Sequence, residues 1–547
     1  MSATVIQHVL SRLKSLGIRD IFGVAGDYAF PIEDAICADK DLRWIGNCNE
    51  LNAAYAADGY ARINGFAALS TTYGVGELSA INGIGGAYAE FLPVFHLVGM
   101  PATTIQATHR LVHHTLGNGE FNLFQKMSEP VVCAQSILSP ENCVAETERL
   151  MRAAIENRRP VYMGIPKDIA NLPVIGKVKP TQKATFDSAV LESVVKAIVY
   201  EVSTSKTACI LPGIVVARYG LKKEATAVVD ASGLPFATMF MDKSVLDETH
   251  PNYIGMYDGK LMNEQIRAFV EGCDCVLGIG AMQTDFNTGS FTANIDQTKS
   301  INIMHDSVRV GTAVFNNIVM KDVLEALAKE LPRKTIQAPK ILKLGDPKGE
   351  AEDKITADYL YPRWQQMLKP NDILITETGT SSMGLGFAAM PKGTTFQNQT
   401  LWGSIGWATP AAFGAALADP KRRTILITGE GSHQLTAQEI SQFYRFGLKP
   451  IIFVLNNSGY LIERLISEHP DYYYNDIAQW HYEKLPEAMG CDGWFTARVR
   501  TCDELDQAIK QAEAADTGAY IEVITDKYVA SPLSEKLHES TQSKFAA

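Results

Sequence analysis

The chain has 547 residues, 46% hydrophobic and 20% charged, a profile that excludes collagen, coiled coil, disordered tail and small disulfide scaffold. Its net charge is −11, from 50 Lys and Arg against 61 Asp and Glu, which argues against a nucleic-acid partner. At roughly 150 residues per domain, the length predicts three or four compact units.

The first segment, MSATVIQHVLSRLKSLGIRD, spaces Val5, Val9, Leu10, Leu13 and Leu16 as one apolar helical face, not as a signal-peptide block. Short apolar runs then alternate with helical patterns. They are IFGVAG (21–26), LRWIG (42–46), AALSTTYG (67–74), VFHLVGM (94–100), VVCA (131–134) and VYMGIP (161–166), then TACILPG, PFATM, CVLGIG and INIMH. DILITETG, TILITGEG, IIFVLNN and AYIEVIT close the series. Continuous apolar strands separated by helices predict parallel sheets covered on both faces, an α/β chain. Two linker-like stretches, 171–189 and 333–358, divide it into three units of about 180 residues, each long enough for its own core.

Nine cysteines scattered from Cys37 to Cys502 predict reduced thiols and a cytoplasmic location rather than a disulfide framework. The charge-free stretch from Gly393 to Ala418 contains Gln397, Asn398, Gln399 and Pro410, so no membrane span is expected there.

TILITGEG ends a strand at Gly429-Glu430-Gly431, SHQLTAQEISQF reads as the following helix, and the next strand ends at Asn456-Asn457. Glu430 and Asn457 are 27 positions apart, the length of one strand–helix–strand unit, which places both at neighbouring strand ends, where open α/β sheets bind ligands. Backbone N–H groups of Gly431 and Ser432 suit a phosphate, and the two side-chain oxygens suit Mg²⁺. Alone, such a pattern is also that of a polar strand-end turn.

The neighbouring motifs decide it. They are GVAGDY (23–28), the Glu50 context NCNELNAAYAADGYAR, TTYGVGELSAINGIGGAYAE (71–90), HHTLGNGEF (113–121), DFNTGSF (285–291), ETGTS (377–381), LWGSIG (401–406), GEGSHQLTAQE (429–439) and NNSGYLIERLI (456–466). With these the chain resembles the thiamine-diphosphate-dependent 2-oxo acid decarboxylases, in the pyruvate and indolepyruvate decarboxylase branch.

The resemblance implies three doubly wound parallel-sheet domains: 1–180 for the pyrimidine, a central 181–345, and 346–547 for the diphosphate and metal. It implies non-oxidative decarboxylation of 2-oxo acids to aldehydes and CO₂, through a thiamine diphosphate ylide and enamine, with Mg²⁺ as the second cofactor. Glu50 takes the place of the glutamate that hydrogen-bonds the aminopyrimidine. Asp27, His113, His114 and Glu463 fall at the acid–base positions. Thr380, Gly403, Ser404, Ile405, Gly431, Ser432, Gly459, Tyr460 and Ile462 fall at cofactor positions, with Glu430, Asn457 and Gly459 around the metal. Phe286, Thr378, Ser382, Met383 and Ile462 fall along the substrate pocket, where the small Ser382 leaves room for chains longer than pyruvate. Ser382→Trp is therefore expected to depress large substrates more than pyruvate. The resemblance also implies a homodimer with shared active sites, assembled into a homotetramer.

One departure stands out. The family's metal motif is usually Gly-Asp-Gly, and Glu430 extends the carboxylate by about 1.5 Å. A carboligase of the acetolactate synthase type shares the plan but typically adds a flavin and lacks the paired histidines. A nicotinamide enzyme would need a dinucleotide fingerprint, and GIGAMQTDFNTG (278–289) is not one.

Overall fold

The computed structural model describes residues 3–175 and 188–545, with side chains to residue 539. The expected boundary at 180/181 and most of the first linker lie outside the described residues.

Three sheets carry the chain. The first comprises β1 (Asp20–Gly23), β2 (Arg43–Gly46), β3 (Ala67–Thr72), β4 (Val94–Met100), β5 (Ala134–Ile137) and β6 (Val161–Pro166), ordered β2-β1-β3-β4-β6-β5 and parallel throughout. The middle sheet comprises β7 (Ala208–Pro212), β8 (Phe236–Thr238), β9 (Tyr253–Met256), β10 (Cys275–Ile279), β11 (Ser300–Ile303), β12 (Ser307–Val310) and β13 (Ala313–Asn316). Its order is β13-β12-β11-β10-β7-β8-β9, with β12 and β13 added antiparallel at one edge. The third comprises β14 (Ile373–Thr376), β15 (Thr395–Gln397), β16 (Thr424–Gly429), β17 (Ile451–Asn456), β18 (Phe495–Val499) and β19 (Ala519–Ile524), ordered β15-β14-β16-β17-β19-β18 and parallel throughout. Strands such as β3 and β17 are buried at every residue, which is why their sequences are continuous apolar runs.

Two local expectations shift. VVCA is not a strand: Pro130 helps close a 3₁₀ turn over Glu129–Val131, and pairing with β6 begins only at Ala134 opposite Val161. The segment 432–443 is not one helix. Thr436 takes an extended φ of −143° and its Oγ1 donates to the Gly406 carbonyl at 2.6 Å, so the helix breaks between Glu430–His433 and Ile440–Arg445.

The first and third sheets share a core. Helix Glu50–Asn64 is capped by the Asn49 side chain, which accepts from Asn52 N at 2.9 Å, and ends at Gly65 with φ +93°. It packs on helix Ala408–Ala418 at backbone contact. A Cβ on Gly59 would lie 2.0 Å from the Ala411 carbonyl oxygen, and one on Gly414 would lie 1.8 Å from that of Ala56. Asp58, fully buried there, accepts from Arg62 Nε at 2.7 Å and Trp407 Nε1 at 2.9 Å. Phe22 and Tyr60 of the first domain join Phe413, Ile452 and Tyr520 of the third in one apolar cluster, while the middle domain's main cluster, around Ile210 and Leu277, takes in Phe91 of the first. Among the described residues no helix is long and apolar enough to cross a membrane.

Candidate active site

Strands β14, β16 and β17 lie side by side and parallel, so their carboxyl ends open onto one edge. A cleft of about 300 Å³ sits there, lined by Thr378, Thr380, Glu430, Ser432, Asn457 and Glu463 with the glycines between them. Glu430 is 1% exposed, and its Oε1 accepts from Asn457 N at 3.1 Å and Gly459 N at 2.8 Å. Burial pushes its pKa up to about 7 against the pull of those N–H groups. Asn457 Oδ1 is buried and has no partner among the described residues. The turn depends on glycine twice. Gly459 has φ +150°, and its Cβ would meet Asn475 O at 2.3 Å; a Cβ on Gly431 would lie 2.5 Å from the Tyr460 ring.

The loop carrying LWGSIG closes one wall. Ile405, 36% exposed, lines the cleft, and Gly403 has φ +65° with open space where a side chain would be. Ser404 faces the first domain: its Oγ bonds Tyr55 Oη and takes a 3.4 Å contact from Asn82 Nδ2, while Trp402 Nε1 donates to Asn82 Oδ1 at 2.9 Å. The loop's anchor is Glu377, which sequence reasoning quoted within ETGTS but did not assign. Fully buried, its carboxylate accepts from Thr378 N, Gly406 N and Ala408 N at 3.1–3.3 Å, and burial raises its pKa to about 7. The signal was present: a Glu directly after the buried run ILIT must find donors.

A second cleft of about 350 Å³ adjoins, lined by Phe240, Phe286, Met383, Ile466, Leu533 and Leu537 among others. Ile462 lines the first cleft and packs in the apolar cluster of Met383, Phe286 and Leu533, so its side chain stands between the two. Phe286 and Met383, expected along the substrate pocket, both line the second cleft. Ser382 lines neither cleft: it is 2% exposed and its Oγ donates to the Gly379 carbonyl at 3.0 Å, which makes Met383 the residue that bounds the space. Phe240, Leu533 and Leu537 were missed because they come from distant segments with no common motif, and Ile466, the last residue of NNSGYLIERLI, had no role assigned within it.

The remaining acid–base residues gather on the first domain. Asp27 Oδ2 lies 3.1 Å from His113 Nε2 and 4.0 Å from Lys167 Nζ, and Oδ1 lies 3.9 Å from His114 Nε2. Tyr28 stacks on His113 at 4.8 Å, and His114 is held at φ +61°. Glu50 begins helix Glu50–Asn64, half-buried, and burial raises its pKa. Glu463 is instead on the third domain, exposed on the first cleft. Among the described residues, no hydrogen bond, ion pair or ring contact joins Asp27, His113, His114 or Glu50 to that cleft. The chain presents the predicted set as two halves.

Comparison with known proteins accounts for both halves. Residues 3–120 match the thiamine pyrophosphate enzyme N-terminal TPP-binding domain, 195–330 the central domain, and 367–523 the C-terminal TPP-binding domain. The chain belongs to the thiamine pyrophosphate enzyme family. It is 39% identical to an alpha-keto-acid decarboxylase of Mycobacterium leprae, over 96% of this chain and 93% of that protein. It is 38% identical to the protein of that name in Mycobacterium tuberculosis, covering 95% and 94%, and 39% identical to pyruvate decarboxylase isozyme 3 of Saccharomyces cerevisiae, covering 93% of each.

The site of this thiamine pyrophosphate enzyme fits the cofactor its family is named for. The unpartnered Asn457 oxygen and the Glu430 carboxyl are hard-oxygen donors of the kind a divalent cation takes. Gly429 and Gly403 leave unfilled space where side chains would stand, as a bound group requires.

Proposed function

We propose that the protein decarboxylates 2-oxo acids to aldehydes and CO₂ with thiamine diphosphate and Mg²⁺. When bound, the cofactor supplies an electron sink for the pair left as CO₂ departs. Glu430, Asn457 and the Gly459 carbonyl would hold the metal; Gly431, Ser432 and Thr380 the diphosphate; Gly403, Ser404, Ile405, Tyr460 and Ile462 the remainder. Glu50, whose burial favours the acid form, would hold a proton at the pyrimidine ring nitrogen. Asp27, His113, His114 and Glu463 would move protons at the reacting carbon and bind the carboxylate. Thr378, Phe286 and Met383 would bound the substrate side chain.

The observation that carries this reading is the buried pair Glu430 and Asn457 at adjacent strand ends, the latter with an unused oxygen. The separation of Glu50 and the His113–Asp27 cluster from that pair supports a centre completed by a second copy of the chain, in a homodimer or a homotetramer built from it. All nine cysteines are unpaired thiols, which supports a cytoplasmic location.

The test is CO₂ release from pyruvate, 2-oxoisocaproate, phenylpyruvate and indolepyruvate, with and without thiamine diphosphate and Mg²⁺. Release that depends on both is expected; folded protein that releases none from any of them refutes the reading. For the shared centre, Glu50→Gln and Asn457→Ala proteins, each inactive alone, are dissociated and remixed. Random pairing leaves about a quarter of centres intact, so activity returns. No recovery after verified exchange removes the second copy from the mechanism.

A further inference from the structure

The second cleft holds one group with no assigned task. Asp258, just beyond the end of β9, is 2% exposed, yet no hydrogen bond or ion pair reaches its carboxyl among the described residues, and its Oδ2 is enclosed without a partner. Burial alone pushes its pKa up to about 7, with nothing nearby to offset it. The other carboxyl on the cleft, Asp285, is exposed and accepts from Phe286 N at 2.9 Å, so water and main chain satisfy it. Among the described lining side chains, only Asp258 is a buried acceptor.

Its surroundings are aromatic and soft. Phe240 and Phe286 meet at 5.7 Å with planes tilted by 31°, and Met383, Leu261 and Leu533 complete the wall. A thioether and ring edges of this kind take up a flat ring. Only the Ile462 side chain, which lines the first cleft and packs on the wall of this one, stands between the two at that point, so a ligand's reacting end and its far end would have separate places. An ammonium brings three donors to this single buried acceptor, whereas a phenol or indole brings one.

We propose that Asp258 is a specificity residue, accepting a hydrogen bond from the ring O–H or N–H of an aromatic 2-oxo acid whose ring fills the cleft between Phe240, Phe286 and Met383. The substrate half of this statement rests on the decarboxylase reading; the binding half does not. A buried acceptor strongly disfavours an analogue that leaves it unpaired, so discrimination by a donor is larger than any that cleft size supplies.

Two measurements on the full chain test it. Calorimetry compares indole with benzothiophene, which has the same shape and no donor. Turnover of the cofactor-loaded protein compares 4-hydroxyphenylpyruvate with phenylpyruvate by kcat/KM. Preference for the donor in each pair by about tenfold or more is expected. Asp258→Leu abolishes that preference, while Asp258→Asn, which keeps one acceptor oxygen, retains part of it. Melting temperatures confirm that both variants are folded; each is expected at or above the parent, since an unpaired buried carboxyl is removed. No preference in the parent, or the same preference in Asp258→Leu, overturns the proposal. Donor preference in calorimetry with no CO₂ release from any 2-oxo acid sinks the decarboxylase reading and leaves the binding site standing. CO₂ release without donor preference does the reverse.

Discussion

The carboxyls of Glu430 and Asp27 stand in opposite circumstances. Glu430 is enclosed at a strand end and held by two main-chain N–H groups whose positions the parallel sheet fixes. Asp27 is half-exposed and held by the flexible side chains of His113, His114 and Lys167. A site on strand ends is rigid before any ligand arrives, whereas a site of paired side chains in water is worth little energetically until something excludes that water. On the function proposed above, the third domain is thus a preformed receptacle, and the first domain would present the proton-handling groups to whatever closes over them.

The largest effect is expected at Glu50. Glu50→Gln should lower CO₂ release by about 10²–10⁴-fold, read as kcat at saturating cofactor, with the melting temperature nearly unchanged. Wild-type turnover in this variant would end the division into a chemical half and a receptacle.

Asp258 extends the comparison to a carboxyl that nothing holds among the described residues. Its folded pKa is raised from 3.8 to about 7, so the stability associated with its proton is present below about pH 4 and lost as pH rises through 7. Asp258→Asn, which does not titrate, should match the parent near pH 4 and exceed it progressively toward pH 8, by up to about 4 kcal/mol. The exposed Asp285 on the same cleft remains in both proteins, so the difference isolates Asp258. A gap that does not widen with pH in urea melts would remove the buried acid.

Glu430→Ala should destabilise the metal-free protein by about 1–3 kcal/mol, because Asn457 N and Gly459 N lose their acceptor. His113→Ala should change stability by less than about 0.5 kcal/mol, yet slow turnover. Equal thermal losses in the two variants would erase the contrast between the halves.

Much of this was legible in the sequence, for a physical reason. A buried parallel strand must be a continuous apolar run, so TILITG and IIFVLN announced β16 and β17, and the polar residues that end such runs announced Glu430 and Asn457. The short strands β15 and β18 escaped because they lie at the edges of their sheet, where alternating or brief apolar patterns suffice. Asp258 and Glu377 escaped because a carboxylate in sequence reads as solvated. Only the packing shows that Glu377 has three main-chain donors and a Thr428 hydroxyl, and that Asp258 has none among the described residues. Ser382 shows the opposite difference: the family resemblance put it along the pocket, while the helical turn directs its Oγ to the Gly379 carbonyl.

The contact at Gly59 and Gly414 reaches further than the site. Two backbones touching without side chains between them leave no layer along which the first and third domains can part. Segments some 350 positions apart in the chain therefore melt as one cooperative unit. Gly59→Ala, which drives a methyl into the Ala411 carbonyl, should lower the main calorimetric transition by about 1–3 kcal/mol and spare any separate one. The boundaries that divide the sequence into thirds are not the boundaries along which the molecule comes apart.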